Sequence, residues 1–256
     1  MPASPPNSQR LGIIIPEVTE GYHRVEEREL RRYDQWMAKY GFAAISTVEA
    51  YTSTDGWHEM ESIYDTGSYD RLSTAAGELS RAGCDVVAWP CTCASFIGGL
   101  DWSRAQAEAM EAAAGRPVTS TSLAMLKAIR TLDADVVDVL GAYPAPVNLR
   151  FLRFLDDAGI SVAAMVSLDC ADELVSHLLD IHAEAVRFNG GLPPRSHLLL
   201  IPDTAIDTIA LVPELEKELN RPVVAGNHAT LWHSLRLLGH ECHVPEAGTL
   251  FGNDLP

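Results

Sequence analysis

Short apolar runs alternate along this chain with longer amphipathic stretches, and that alternation leaves few folds open. Apolar runs at residues 11–16, 42–48, 85–90, 136–140, 162–167 and 197–201 have the length of buried strands. Between and after them, residues 26–40, 68–82, 103–114, 147–158, 173–188, 209–219 and 230–238 carry apolar positions at helical spacing. Gly83 and Gly115 stand where two of these helices should stop. A strand that is apolar throughout has no face for water, so helices must cover both sides of its sheet. Strands separated by helices run parallel. The expectation is an α/β fold built on parallel sheets.

A faint internal repeat refines it. Trp89-Pro90-Cys91-Thr92 follows one predicted strand and Ile201-Pro202-Asp203-Thr204 follows another. Arg116-Pro117-Val118, with Ala124, Leu126 and Leu132, is matched at the same spacing by Arg221-Pro222-Val223, with Ala229, Leu231 and Leu237. Coincidence between two generic βα units is the competing explanation. Two pseudo-symmetric, Rossmann-like lobes with a cleft between them account for the match directly. Residues 10–115 plus 225–256 then form the first lobe and residues 116–224 the second, after a polar, disordered lead at residues 1–9. Ligands of open α/β sheets bind beyond the carboxyl ends of the strands. Facing lobes would therefore present Cys91 and Asp203 at one cleft.

Composition excludes some partners. A chain of 256 residues, 47% of them hydrophobic, can bury a large core. Nucleic acid and anionic membrane surfaces are met by basic footprints, and the formal net charge here is -16. No apolar run approaches the roughly 20 residues needed to span a bilayer, and the polar N-terminus lacks the apolar stretch of a signal peptide. The expected setting is the cytoplasm, where thiols stay reduced, and a homo-oligomer is expected. The odd cysteine set of Cys84, Cys91, Cys93, Cys170 and Cys242 argues against a disulfide framework.

Cys91 is the sharpest chemical signal. It follows an apolar strand and opens a run of small residues suited to a turn or helix start, where unpaired N–H groups favour thiolate. A thiolate adds to polarised double bonds or carries protons at carbon. A buried structural cysteine is the alternative. Cys93 points away from Cys91 if the stretch is extended. Asp203 is either a partner acid or base or a helix N-cap. Asn227 and His228 precede the last predicted helix: Asn227 caps it or helps its amides cradle a carboxylate, and His228 is a second acid or base or a packed ring. Tyr143 and Asn148 lie in the loop after residues 136–140, with Tyr143 placed to donate to a substrate oxygen or simply to pack. Trp89, Phe96 and Trp102 are candidate walls of an apolar pocket, or core. Thr92, Thr121, Thr204 and Glu17 complete the candidate substrate-contacting set. The chain has no GxGxxG opening a helix, no GxxxxGK[ST] and no GxSxG. His240-Glu241-Cys242-His243 fits no common metal spacing. Neither metal nor cofactor is expected.

Residues 83–99, 116–121, 141–148 and 221–232 resemble the aspartate/glutamate racemase superfamily, in the branch of maleate cis-trans isomerase and arylmalonate decarboxylase. The resemblance runs from about residue 11 to residue 239. It implies two pseudo-symmetric lobes, an active site between them and no cofactor. It places Cys91 on the first-lobe catalytic cysteine and Tyr143 and Asn227 on substrate-contacting positions. In the isomerase the first cysteine adds to the alkene, the second helps with protonation, and the central bond rotates before the thiol leaves. Three departures stand out. Asp203 replaces the second cysteine, Glu17 follows Pro16 where the family has an asparagine after the first strand, and His228 replaces the usual glutamine. A less anionic, or amino-bearing, substrate follows from those acids. The expected function is a cofactor-independent isomerase or racemase of a small carboxylic acid, with Cys91 as nucleophile or proton carrier and Asp203 as partner. The alternatives are an arylmalonate-type decarboxylase using one thiol, and a non-catalytic small-molecule binder.

Overall fold

Val86–Trp89 and Leu198–Ile201 are buried at every position, and such strands persist only where helices cover both faces of their sheet. The computed structural model describes residues 9–18, 33–191 and 196–253. In it these strands are β3 (Val86–Trp89) and β7 (Leu198–Ile201), each in a four-stranded sheet. The first sheet runs β2 (Ser46–Thr54), β1 (Arg10–Val18), β3, β4 (Val118–Ser120). The second runs β6 (Ser161–Ser167), β5 (Val136–Gly141), β7, β8 (Val223–Ala225). Every strand pairing is parallel. The two orders are one order used twice, so the internal repeat is structural.

Helices α2 (Met60–Thr66), α3 (Tyr69–Arg81), α4 (Thr92–Phe96), α5 (Leu100–Ala114), α6 (Thr121–Thr131) and α7 (Ala145–Asp157) follow a helix α1 described at residues 33–39. Then come α8 (Glu173–His177), α9 (Ile181–Gly191), α10 (Val212–Leu219) and α11 (Gly226–Leu237). Helices α6 and α11 follow equivalent strands and meet across the pseudo-twofold, where the Thr121 and Thr230 hydroxyls lie 2.9 Å apart. One apolar core crosses the lobe boundary. Phe96 of the first lobe packs on Phe151 of the second, ring centroids 5.0 Å apart.

Several predicted elements shift. The strand predicted at residues 42–48 lies at Ser46–Thr54, because β2 is an edge strand with one wet face and needs no continuous apolar run. The helix predicted at residues 173–188 is two helices. Asp172 caps the first through Val175 N–H at 2.8 Å, and Asp180 restarts the second through Ala183 N–H at 3.0 Å. The last helix begins at Gly226, so Asn227 and His228 lie in its first turn and do not precede it. Strand β4 adds to the first sheet, so residues 118–120 belong with that lobe and not with the second, where the expected division at residue 116 put them. Strands β4 and β8 have three residues each, too short to register as apolar runs. Of the helix predicted at 26–40, residues 26–32 lie outside the described residues, as does the lead at 1–9 apart from Gln9.

Strand β8 is anchored from below. Arg221, just ahead of it, places its guanidinium 2.8 Å from the Asp138 carboxylate on β5, with the side chains 4% and 1% exposed. Among the described residues no helix is long and apolar enough to cross a membrane.

Candidate active site

Strands β3 and β7 end in the same manner. After Trp89, Pro90 ends the ladder and Cys91 N–H donates back to Trp89 O at 2.9 Å. After Ile201, Pro202 does likewise and Asp203 N–H donates to Ile201 O at 3.1 Å. Cys91 and Asp203 follow these tight turns in opposite lobes, and both line one cleft of about 450 Å³, its open mouth included. Cys91 is 7% exposed and is the N-terminal flanking residue of α4, yet its sulfur makes no cap bond and stays available to the cleft. Asp203 is 3% exposed. Its Oδ1 accepts Ala205 N–H at 2.9 Å in a local turn; no helix starts there, so it is not an N-cap. Its Oδ2 is buried with no hydrogen-bond partner among the described residues.

Of the candidate residues, Thr92, Tyr143 and Thr204 join Cys91 and Asp203 in the cleft wall. The others do not line it. Asn148 lies behind Tyr143 and holds its loop, donating to Tyr143 O and, at 2.9 Å, to Ser167 Oγ. Asn227 donates to Thr204 O at 2.7 Å and accepts from the Tyr33 hydroxyl at 3.0 Å, so it fixes the Asp203 turn from beneath. Thr121 is spent on the contact between α6 and α11. Glu17 is half-buried near the end of β1, where Pro16 supplies the wall instead. Trp89 and Phe96 are fully buried core, and Trp102 is turned away to donate to Ala94 O at 3.0 Å.

His228 is no acid or base of the cleft. Its Nε2 donates to Ala247 O at 2.9 Å, its ring lies edge-on to Phe251, and burial pushes its pKa down to about 4. Burial, helped by Lys127 and Arg236, pushes His233 down to about 4 as well. Both rings are neutral in the folded protein at neutral pH. The unfolded chain binds protons on them below the ordinary 6.5, so stability is lost as pH falls from 6.5 toward 4. The expected loss by pH 5 is on the order of 2 kcal/mol for each histidine. Urea unfolding at pH 7.5 and pH 5 measures it, and equal midpoints would contradict the assignment.

Cys93 does not point away. The stretch is helical from Thr92, and that turn brings Cys93 into the same wall as Cys91. Its thiol is pushed well above the ordinary range, first by its hydrogen bond with Cys91, then by desolvation and by charge on Cys91 and Asp203. Cys93 thus keeps its proton. Burial, then Asp203 and the two thiols, push Tyr143 well above its ordinary value, so its phenol remains a donor.

Gly56, Trp57, His58 and Glu173 line the cleft and were not among the candidates. They come from the segments that follow the edge strands β2 and β6, which pair across the lobes. His58 N–H donates to Ala171 O at 2.8 Å, Glu173 N–H donates to Gly56 O at 3.1 Å, and Trp57 bridges Asp172 antiparallel. A strand predicted to end at residue 48 hid this, because residues 55–58 then fell well past any strand end. Pro16, Trp57 and Ile63 provide the apolar side of the cleft. Among the described residues no three His, Cys, Asp or Glu side chains converge as a metal ion requires.

A family model described as arylmalonate decarboxylase matches residues 55–251. The arylmalonate decarboxylase of Bordetella bronchiseptica is 30% identical over 188 residues, covering 69% of this chain and 75% of that protein. The maleate isomerase of Geobacillus stearothermophilus is 26% identical over 179 residues, covering 68% and 71%. In fold the chain is similar to a Nocardia farcinica maleate cis-trans isomerase mutant carrying a covalently bound succinylcysteine intermediate. That likeness has a TM-score of 0.85 at 19% identity and covers 96% of this chain and 99% of that one.

Proposed function

The chain belongs to the arylmalonate decarboxylase family, and on that premise we propose that it is a cofactor-independent isomerase or racemase of a small carboxylic acid, with Cys91 as nucleophile or proton carrier and Asp203 as its partner acid or base. One observation carries the reading: Cys91 and Asp203 leave equivalent strands of opposite lobes and line the same cleft. A carbon held between them has one reactive group on each face.

In racemisation, one group removes the proton α to the carboxylate. The electron pair enters an enediolate, and the group on the other face returns a proton to the same carbon. In alkene isomerisation, the Cys91 thiolate forms a C–S bond while the π pair moves toward the carboxylate. The neighbouring carbon is protonated, the central bond rotates, and loss of that proton with cleavage of the C–S bond restores the alkene. In this reading the protonated Tyr143 and the Thr92 and Thr204 hydroxyls, all in the cleft wall, hold the substrate's oxygens, where negative charge gathers. A decarboxylase reading has support of its own. The matched family model carries that description, and Pro16, Trp57 and Ile63 give the cleft an apolar wall that favours loss of carbon dioxide. There one thiol protonates the enediolate from a single face.

This reading keeps the enzyme in the cytoplasm, where its five free thiols stay reduced. It also has the chain self-associate, for which the exposed Val175 on α8 and Leu178 just after it offer apolar surface. A screen of small mono- and dicarboxylic acids in deuterium oxide, with aryl and amino variants included, tests the function. Deuterium entering carbon, or a shifted alkene signal, without loss of carbon is the expected result. Gas release moves the assignment to decarboxylation, and ligand binding without turnover of any acid overturns both.

A further inference from the structure

His58 occupies a place in the cleft that the mechanism leaves unused. Its backbone and its ring are both fixed by the opposite lobe. His58 N–H bonds Ala171 O, and Nδ1 lies 2.9 Å from Cys170 O. A carbonyl only accepts, so Nδ1 carries hydrogen and its direction is set. The ring is 7% exposed and stands edge-on to Tyr143, centroids 4.7 Å apart, which removes its remaining freedom. With Nδ1 turned outward to the backbone, Nε2 is the polar atom left for the cleft that His58 lines. A carbonyl that fixes one imidazole nitrogen so that the other can act is a recurring way of preparing histidine for chemistry.

Charge gives this nitrogen a task. Glu173 and Asp203 line the same cleft, and Tyr143 and Cys93 hold their protons. Among the described lining residues His58 is the only one able to become a cation. A substrate carboxylate entering between acids needs such a group. We propose that His58 is a substrate-contacting residue whose Nε2–H donates to the substrate carboxylate held over Cys91. The inference rests on the cleft being the substrate site, and not on which reaction takes place there.

Two substitutions separate the two nitrogens. His58→Asn keeps a donor where Nδ1 meets Cys170 O and removes Nε2. His58→Gln keeps a donor near Nε2 and gives up the Cys170 bond. Iodoacetate and iodoacetamide serve as probes, because each alkylates a thiolate by displacing iodide and only the first brings a carboxylate. The readout is the ratio of their rates at Cys91, followed by mass spectrometry of the Cys91 peptide in the full-length protein. The expected ratio falls about tenfold in His58→Asn, as loss of one hydrogen bond to a charged group requires, and by less in His58→Gln, which keeps a neutral donor in place of the cation. A parent-like ratio in His58→Asn overturns the proposal. So does a fall in His58→Gln as large as that in His58→Asn or larger, which would take the effect away from Nε2. No turnover is needed, so failure of this inference is distinguishable from failure of the proposed reaction.

Discussion

Replacing Cys91 with alanine is expected to lower kcat by at least about 10³-fold on whichever acid the deuterium screen identifies, the scale set by a positioned nucleophile or proton carrier. The geometry makes this loss one of chemistry and not of folding. Cys91 sits at a strand end with its sulfur uncommitted to any cap, and the change removes a single atom from a wall that already faces open space. The melting temperature should therefore stay close to that of the parent. Steady-state kinetics with the purified variant, alongside Cys93→Ala, decides the matter. Cys93 shares the wall but holds its proton, so its loss should leave most of the turnover. If Cys93→Ala is the inactive variant and Cys91→Ala works normally, the two thiols have been assigned the wrong way round.

Arg221→Met is expected to destabilise the fold by about 3–5 kcal/mol. The guanidinium and the Asp138 carboxylate lie 2.8 Å apart and are almost wholly out of water, 4% and 1% exposed. Removing the cation leaves a buried anion whose desolvation is no longer compensated. The internal repeat supplies a control. Arg116 holds the matching place before β4 but is exposed, so Arg116→Met should change stability by no more than about 0.5 kcal/mol. Urea unfolding of both variants reads the contrast. Similar small losses in both would show that the buried pair contributes little. A double change, Arg221→Met with Asp138→Leu, should recover much of the first loss, because it removes the stranded charge.

The sequence made the central strands legible because β3 and β7 are apolar on both faces, and a four-residue run of that kind has few other uses. It disclosed Cys91 and Asp203 through their shared setting after a strand and a proline, and the structure gives the pair one cleft. The edge strand β2 was misplaced by four residues at its start, since a half-wet strand reads as polar. That shift concealed His58. Glu173 was concealed in a different way, because it lies where periodicity suggested an unbroken helix and the caps at Asp172 and Asp180 divide it. Asn148, Asn227 and Thr121 were recognised as special, and the structure gives them bracing contacts outside the cleft wall. Each holds backbone or a neighbouring helix, and a sequence does not distinguish a side chain that meets a ligand from one that braces the loop meeting it.

The two segments that pair across the cleft mouth, residues 56–58 and 171–173, are joined through main-chain groups. Amide and carbonyl are common to nearly every amino acid, so the main-chain part of this seam is indifferent to the side chains that hang from it, and the His58 ring adds its own bond to Cys170 O. Trp57, His58 and Glu173 can be exchanged for others while the rim keeps its span. The aperture is inherited from the backbone and the selectivity is written separately on top of it. A lineage, or a directed library confined to these three positions, can therefore change what the enzyme admits without first having to rebuild the doorway.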